Sequence, residues 1–559
     1  MKDIVLTAIN AKWTHPSLAL RLLKANLGSL EPQCEIIEFA LRQPLREKIE
    51  PLLSARPRIL GISVSIWNHL ATIELLEILE KEWATHGWQR PIIVLGGPEI
   101  SYLSDDADIF EYADYIIRGE GETVFSVLCE SILQNENKMI GGCAQRLDGG
   151  IWLDRQYSHA KACVKHSLGR AAQAKALALF SSLYNFCAPR CAKLFIHTAS
   201  RGARLSESGA GKALRTPTKE LIFNMTDNLA EIKTAYHLYT DEDIAQKLIY
   251  VESSRGCPFE CDFCLSAVKS EESDSAVREF PLEPFLADMD TLVNRGVKTF
   301  KFLDRTFNAN INRAVKICEF FLQKLEERER TGRAPFVVHF EMVPSLFTQA
   351  LCETLARFPP DSLRLEIGIQ TLNPEVCARI HRPGWRNRSI NPEKELETLR
   401  FLRKKTNAII HADLIAGLPG EDLESFGRGF DRLWQAVSED DDDAQKQETK
   451  NPRVEIQLGI LKQLPGAPIA RHNETFGMRY SGKPPYEIEE TSSISAVDLR
   501  RLKNFAAFWE RLVNHGLLYL KSEPVFEKFM SLSDSLLNHF GKNWGIDKAE
   551  LIKKANDIW

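Results

Sequence analysis

The sequence predicts an α/β protein in three parts: a doubly wound parallel sheet, then an open (β/α)6 barrel, then a helical C-terminal region. Three observations predict it. Short apolar, β-rich runs alternate with helical patterns over residues 1–145. A second alternating series begins near residue 247, and beyond about residue 486 only helical periodicity remains. At 559 residues the chain is too long for one hydrophobic core.

In the first series, strands are expected at 4–8, 34–39, 59–66, 92–95 and 114–117, with helices such as 17–27 and 70–83 between them. Strands separated by helices build a parallel, Rossmann-like sheet, whose ligands sit beyond the carboxyl ends of the strands. Polar and glycine-rich turns fall at those ends: residues 10–17, Ser63 and Ser65, Gly96-Gly97-Pro98, and Arg118-Gly119-Glu120-Gly121-Glu122. In the second series, strands are expected at 248–252, 299–303, 336–341, 363–369, 408–415 and 454–458, with helices such as 314–327 and 394–404 between them. Six strand–helix units fit a partial TIM-type barrel with its chemistry at the carboxyl ends of the strands. Helices at 495–515, 525–537 and 548–558 follow. The domains expected are 1–145, a linker at 146–224, the barrel at 225–488 and the helical region at 489–559.

Composition excludes several classes. Charged residues make up 26% and the apolar set 44%, as in ordinary globular proteins, and no apolar stretch approaches 18 residues. The chain opens directly into a strand-like run, which predicts a cytoplasmic protein without a signal peptide. Twelve cysteines are then thiols and metal ligands rather than disulfides. A net charge of −5 gives no general attraction to nucleic acid or anionic membrane. Residues 158–219 depart from the average with eleven Lys/Arg against one acidic residue, and include Cys163, Cys187 and Cys191. Their composition predicts a disordered or peripheral insertion, although a basic surface for RNA or an acidic partner fits it too. The acidic run 439–443 predicts a solvated loop.

The most informative segment is Arg255-Gly256-Cys257-Pro258-Phe259-Glu260-Cys261-Asp262-Phe263-Cys264, directly after the strand at 248–252. Three thiolates on one tight loop can hold three irons of a cubane cluster, and the missing fourth leaves one iron open. A structural zinc site closes its coordination shell. Here the nearest histidines are His237 and His339 and the next cysteine is Cys318, so a zinc knuckle lacks a nearby fourth ligand. The cysteines Cys34, Cys129, Cys143, Cys318, Cys352 and Cys377 stand in apolar or helical contexts and are expected to be inert.

The spacing C-x3-C-x2-C, with Phe263 before the last cysteine, resembles the signature of the radical S-adenosylmethionine (SAM) superfamily. That resemblance implies a [4Fe–4S] cluster on Cys257, Cys261 and Cys264, whose open iron chelates SAM and cleaves it reductively to a 5′-deoxyadenosyl radical. Later segments match the same family in order. Leu303-Asp304-Arg305-Thr306-Phe307-Asn308 implies that Asp304 meets the methionyl ammonium, against the alternative of a strand-end helix cap. Leu365-Glu366-Ile367-Gly368-Ile369-Gln370-Thr371 places Glu366 and Gln370 near the ribose and the reacting carbon. Asp413 to Glu421, with Gly417, resembles the segment along the adenine, and Leu464-Pro465-Gly466-Ala467-Pro468 is a further recurrent turn.

The first domain, ahead of such a barrel, resembles the cobalamin-binding module of the cobalamin-dependent radical SAM subgroup. The resemblance assigns Gly96, Gly97, Gly119, Glu120 and Gly121 to the corrin and its nucleotide tail, where glycine lets the backbone approach closely. Ser63 and Ser65 stand where related modules hydrogen-bond the dimethylbenzimidazole arm. The cobalt-ligating pattern D-x-H-x-x-G is not kept: aligned on His15, Trp13 replaces Asp and Leu18 replaces Gly. His15 is therefore not expected on cobalt, and a helix-entry histidine before Pro16 is its plain alternative. The helical tail looks like an uncharacterised C-terminal domain found on one branch of this subgroup.

The resemblance implies a radical SAM enzyme with three cofactors (the [4Fe–4S] cluster, SAM and cobalamin) that methylates an unactivated carbon. A second reading uses the same cofactors for oxidative cyclisation or rearrangement. A third, of another class, is a cobalamin or redox sensor with a silent barrel, which the intact cysteines, Glu366 and Gln370 oppose. An RNA methylthiotransferase would need a three-cysteine N-terminal domain and a β-rich RNA-binding tail. The partners expected are a small-molecule or peptide substrate and an electron donor such as flavodoxin or ferredoxin, without nucleic acid or membrane, acting on a monomer.

Overall fold

The computed structural model describes residues 2–136, 140–147, 151–153, 224–267, 277–382, 391–438 and 454–559. The basic segment 158–219 and the acidic run 439–443 lie outside the described residues. The chain divides into two compact units: Met1–Ile9 with Leu22–Thr226, and Asn10–Arg21 with Asp227–Trp559.

In the first unit, strands β1 (Ile4–Asn10), β2 (Cys34–Ala40), β3 (Ile59–Ser63), β4 (Ile92–Gly96) and β5 (Tyr115–Ile117) stand in the order β2-β1-β3-β4-β5. The pairs β1–β3, β3–β4 and β4–β5 are parallel, and the strand order reverses between β1 and β3. Every expected strand is present. β3 ends at Ser63, three residues before the expected limit, because the chain turns there: Val64 N–H donates to the Gly96 carbonyl and Asn68 N–H to that of Ser65. A hairpin of β6 (Cys143–Leu147) and β7 (Ile151–Leu153) adds two antiparallel strands that the sequence pattern did not reveal. The core is the apolar face of helix His69–His86 (Leu75, Leu76, Leu79 and Trp83) among Val5, Leu60, Ile93 and Leu95 of the sheet.

In the second unit, β8 (Ile249–Val251) precedes a small antiparallel pair, β9 (Ser254–Gly256) with β10 (Val277–Glu279). Then come β11 (Thr299–Phe302), β12 (Val337–Met342), β13 (Leu363–Gln370), β14 (Ile409–Ala416) and β15 (Val454–Ile460). β8 and β11 to β15 form one all-parallel six-stranded sheet in chain order, as expected. One face is apolar. Phe300 and Phe302 pack on Phe321 of helix Ile311–Arg330, and Phe302 also on Phe285 of helix Leu282–Arg295.

Both edges of this open sheet end on side chains. The Tyr236 hydroxyl donates to the Glu252 carbonyl at 3.1 Å and accepts from the Glu252 N–H at 3.2 Å, just past β8. On β15, the Asn514 amide accepts from Ile456 N–H at 3.2 Å and donates to the Ile456 carbonyl at 3.0 Å. Asn514 closes the π-helical turn Glu510–Asn514, an extra residue in the helical ladder that follows helix Ala496–Trp509. That helix packs Phe505 and Trp509 on Phe430 of helix Leu423–Ser438 and on Phe526 and Phe529 of helix Phe526–Phe540.

Candidate active site

The three cysteines follow β8 and β9 on a loop entered through Gly256, whose φ of 95° favours glycine. Cys264 N–H donates to the Cys261 carbonyl at 3.0 Å, and Cys257 Sγ lies 3.3 Å from Thr306 Oγ1. All three are partly buried, as is Phe263. Burial pushes the Cys261 thiol up to about 12 and raises Cys257 as well. Such thiols become thiolates only against positive charge, which bound irons supply. Among the described residues, no three His, Cys, Asp or Glu side chains gather as one metal ion requires. A cubane asks for something else, since each thiolate takes a different iron. The cysteine set therefore fits a cluster.

Asp304 is 1% exposed, and its carboxylate accepts from Ser253 N–H (2.8 Å), Ser253 Oγ (2.7 Å) and Ser254 Oγ (2.6 Å). These bonds fasten the chain between β8 and the cysteine loop. Gly417 has a φ of 88°, and a Cβ on it would stand 2.7 Å from Ile488 Cγ2, so close packing explains this glycine.

The second face of the six-stranded sheet carries Tyr250, Lys301, His339, Glu341, Glu366, Gln370, His411, Asp413 and Glu455, alternating with the buried apolar positions. Lys301 Nζ lies 3.0 Å, and His339 Nε2 3.2 Å, from Glu366 Oε2. The His339 hydrogen bond, then Lys301, hold the Glu366 carboxyl down to about 2 against its burial. Gln370 sits at a β-bulge with φ 67°, a rare conformation for a side-chain-bearing residue. Its amide fills space left by Gly368, where a Cβ would be 2.5 Å from Gln370 Nε2. Strain at such a position marks a side chain aimed for use.

Asp413, register partner of Gly368, has a buried Oδ1 with no hydrogen-bond partner among the described residues. Burial, then Glu366 and Glu341, raise its carboxyl well above the usual range, and burial raises Glu341 too. An orphaned buried acceptor beside Glu366 and Gln370 fits a ligand with hydroxyl donors. Sequence reasoning named Glu366 and Gln370, reached Asp413 only as the start of the segment assigned to the adenine, and missed Lys301, His339, Glu341 and His411 as site residues. The signal was there: strands of an all-parallel sheet are usually apolar on both faces, and these place polar or ionisable residues at alternate positions such as His339 and Glu341, Arg364 and Glu366, or His411 and Asp413.

In the first unit, the expected ligand turns converge where the strand order reverses. Asn68 Nδ2 donates to the Ile9 carbonyl at 2.9 Å and to that of Ser63 at 3.3 Å, while its Oδ1 accepts from Ser65 N–H at 2.8 Å. This one side chain ties the ends of β1 and β3. Gly97 has a φ of 105°, and a Cβ there would lie 2.6 Å from Val64 O and 3.1 Å from Ser63 Oγ. Nearby, Trp67 donates its indole N–H to Ile9 at 3.3 Å yet stays 51% exposed, an aromatic face that the sequence reading missed. Buried His69 lies 2.8 Å from Glu99 Oε1 beside this turn. Exposed aromatic surface, a cramped glycine and two serines at a switch point fit a large planar cofactor.

At Gly119 and Glu120 the turn is held by the chain itself. Asn224 clasps that turn: its N–H donates to Arg118 O, its carbonyl accepts from Glu120 N–H, and its Nδ2 donates to Gly142 O at 2.7 Å. Glu120 accepts from Thr226 N–H at 2.9 Å. Gly121 begins helix Glu122–Leu133 and lies against Leu23. His15, in the second unit's segment Asn10–Arg21, has its Nδ1 2.5 Å from the Tyr250 hydroxyl. Burial lowers its pKa, so the ring is neutral.

Both regions match known domain families. Residues 251–433 match the radical SAM superfamily, and residues 4–128 match the B12 binding domain. The structure is similar to the radical S-adenosylmethionine methyltransferase TsrM from Kitasatospora setae, with TM-score 0.56 and 13% identity over 100% of both chains. It is also similar to the cobalamin-dependent S-adenosylmethionine radical enzyme OxsB, with TM-score 0.60 and 15% identity, covering 99% of this chain and 74% of that one. These likenesses establish the fold. In sequence, the chain is 25% identical over 224 residues to a ribosomal protein uS12 methylthiotransferase of Nitratiruptor, covering 38% of this chain and 49% of that protein. An uncharacterized methyltransferase of Pyrococcus horikoshii is 25% identical over 225 residues, 39% of this chain and 44% of its own. The chain thus spans about half the length of the curated relatives it matches.

Proposed function

Because the chain belongs to the proteins that join a B12 binding domain to a radical SAM domain, we propose that it is a cobalamin-dependent radical SAM enzyme that methylates an unactivated carbon. One observation carries the reading: the three-cysteine loop leaves β8 in the same sheet whose polar face holds the strained Gln370, ionised Glu366 and orphaned Asp413. A bound cluster and cobalamin supply radical generation and a methyl group, which no side chain provides. The chain's own residues position. Cys257, Cys261 and Cys264 ligate iron, Glu366 and Gln370 orient SAM, and Asp413 accepts from its ribose hydroxyls. Ser63, Ser65, Gly97 and Trp67 seat the cobalamin.

The substrate is a small molecule or peptide. The electron comes from a low-potential carrier such as flavodoxin or ferredoxin. We place the enzyme in the cytoplasm: its nine described cysteines are free thiols, as a reducing compartment keeps them. Among the described residues no helix is long and apolar enough to cross a membrane.

The anaerobically reconstituted protein, given SAM and a strong reductant, is expected to form 5′-deoxyadenosine. With its substrate it also forms S-adenosylhomocysteine in comparable amount, and a trideuterated methyl group passes from SAM to product. Deoxyadenosine without homocysteine product would move the enzyme to the cyclisation or rearrangement class. No deoxyadenosine from protein loaded with iron would overturn the radical reading altogether. Glu366→Gln and Asp413→Asn are expected to weaken SAM binding about tenfold or more at unchanged iron content, as expected when buried polar partners of a ligand are lost.

A further inference from the structure

Asp262 lies inside the cysteine loop, between Cys261 and Cys264, and is 1% exposed. One carboxylate oxygen is 2.9 Å from His381 Nδ1; the other is 2.7 Å from His472 Nε2 and 2.6 Å from the Arg471 guanidinium. Arg471 also stands 2.7 Å from His381 Nδ1. The backbone joins in: Asp262 N–H donates to the Ile380 carbonyl at 3.1 Å, and its own carbonyl accepts from Ile469 N–H at 2.8 Å. His381, with φ 52°, follows helix Pro374–Arg379, whereas Arg471 and His472 belong to the turn Pro468–His472 beyond β15. Two segments distant in sequence therefore converge on the residue between two of the three thiols.

We infer that Asp262 is a positioning residue of the iron–sulfur site: it fixes where Cys261 and Cys264 present their sulfurs, and with Arg471 it sets the charge the cluster feels. The inference rests on the proposed assignment of these cysteines to a cluster. A loop fixed only by its irons would need no such clamp of two distant segments on Asp262. Arg382 is paired with Glu395 at 3.1 Å. Asp262 and Arg471 form a charge pair beside the cysteines whose two members can be changed separately. Neutralising either member leaves the other unbalanced, with opposite consequences for an added electron.

The test is a redox titration of the reconstituted full chain, followed by electron paramagnetic resonance of the reduced cluster, with iron content measured in parallel. Asp262→Asn keeps the shape and leaves the guanidinium, so the potential is expected to rise by about 59 mV or more. That corresponds to a tenfold change in the reduced-to-oxidised ratio for one electron. Arg471→Gln leaves the carboxylate and is expected to lower the potential, by less, because the half-exposed guanidinium is partly screened. The double variant returns toward wild type. A purely structural role moves both single variants the same way or neither, and either result overturns the inference. If Asp262→Asn folds but loses iron, the Arg471→Gln arm decides: a lowered potential supports the pairing and an unchanged one overturns it. A wild-type protein that takes up no cluster overturns the cysteine assignment instead.

Discussion

At the scale of single residues, Glu421 is a carboxyl whose surroundings move it far from its ordinary chemistry without serving the cluster. It is 2% exposed, accepts from the Thr371 hydroxyl at 2.5 Å, and has its other oxygen buried without a partner among the described residues. Burial lifts its carboxyl to about 7 from an ordinary 4.5. Between those values the unfolded chain gives up a proton that the native state keeps. Stability is therefore complete below about pH 4.5, falls as pH rises through the window, and levels off above 7, by on the order of 3 kcal/mol. Glu421→Gln keeps an acceptor for Thr371 and removes the titration. Its melting temperature should lose this slope and exceed that of wild type at pH 8; an unchanged slope would assign the titration elsewhere. Neither this burial nor the Asp262 clamp was legible in the sequence. Each depends on partners tens to hundreds of residues away, and a lone Asp or Glu in a loop carries no sign of them. The cysteines were legible because their spacing alone states their purpose.

At the scale of elements, all eleven expected strands formed, because apolar β-rich runs bounded by turns are a local signal. The misses were β6, β7, β9 and β10, the antiparallel pair Arg479–Tyr480 with Ile488–Glu490 where only helices were expected from about residue 486, all strands of five residues or fewer, and the three residues by which β3 fell short. Two glycines show how elements depend on absent side chains. A Cβ on Gly427 would lie 2.5 Å from Phe526 Cδ1, where helix Leu423–Ser438 meets helix Phe526–Phe540. Gly427→Ala is expected to cost about 1–3 kcal/mol by overpacking, read as a lower melting temperature at unchanged iron content. Gly97→Ala meets Val64 backbone rather than a movable side chain, at a φ that disfavours alanine. It should abolish cobalamin uptake, measured by absorbance after gel filtration, while the cysteine loop still takes up iron. Equal loss of both would mean that the substitution unfolds the chain.

At the scale of the whole molecule, the order of parts in the sequence is the order found: parallel sheet, six-stranded parallel sheet, helices. What the order could not reveal is that Asn10–Arg21 is counted with the second unit rather than with the strand it continues. Buried Arg21, paired with Asp243 at 2.8 Å, accounts for this, and such a pairing across more than two hundred residues leaves no local trace. No site residue assigned in either unit falls within 158–219. Replacing that segment with a short Gly/Ser linker is therefore expected to leave iron and cobalamin content unchanged. Loss of either cofactor from a soluble deletion protein would place part of a site there.

The side chains that finish the two edges of the six-stranded sheet have a consequence for what the site can admit. In a closed barrel, strand number and shear fix the radius, and no substitution on the lining can widen it. Here Tyr236 and Asn514 each take up the backbone groups of one edge residue, Glu252 and Ile456, where a further strand would bond, and no closure condition applies. The sheet can flatten or tighten by small changes of twist between strands without breaking a ladder. The two margins, rather than a fixed radius, are then where the width of this site is set.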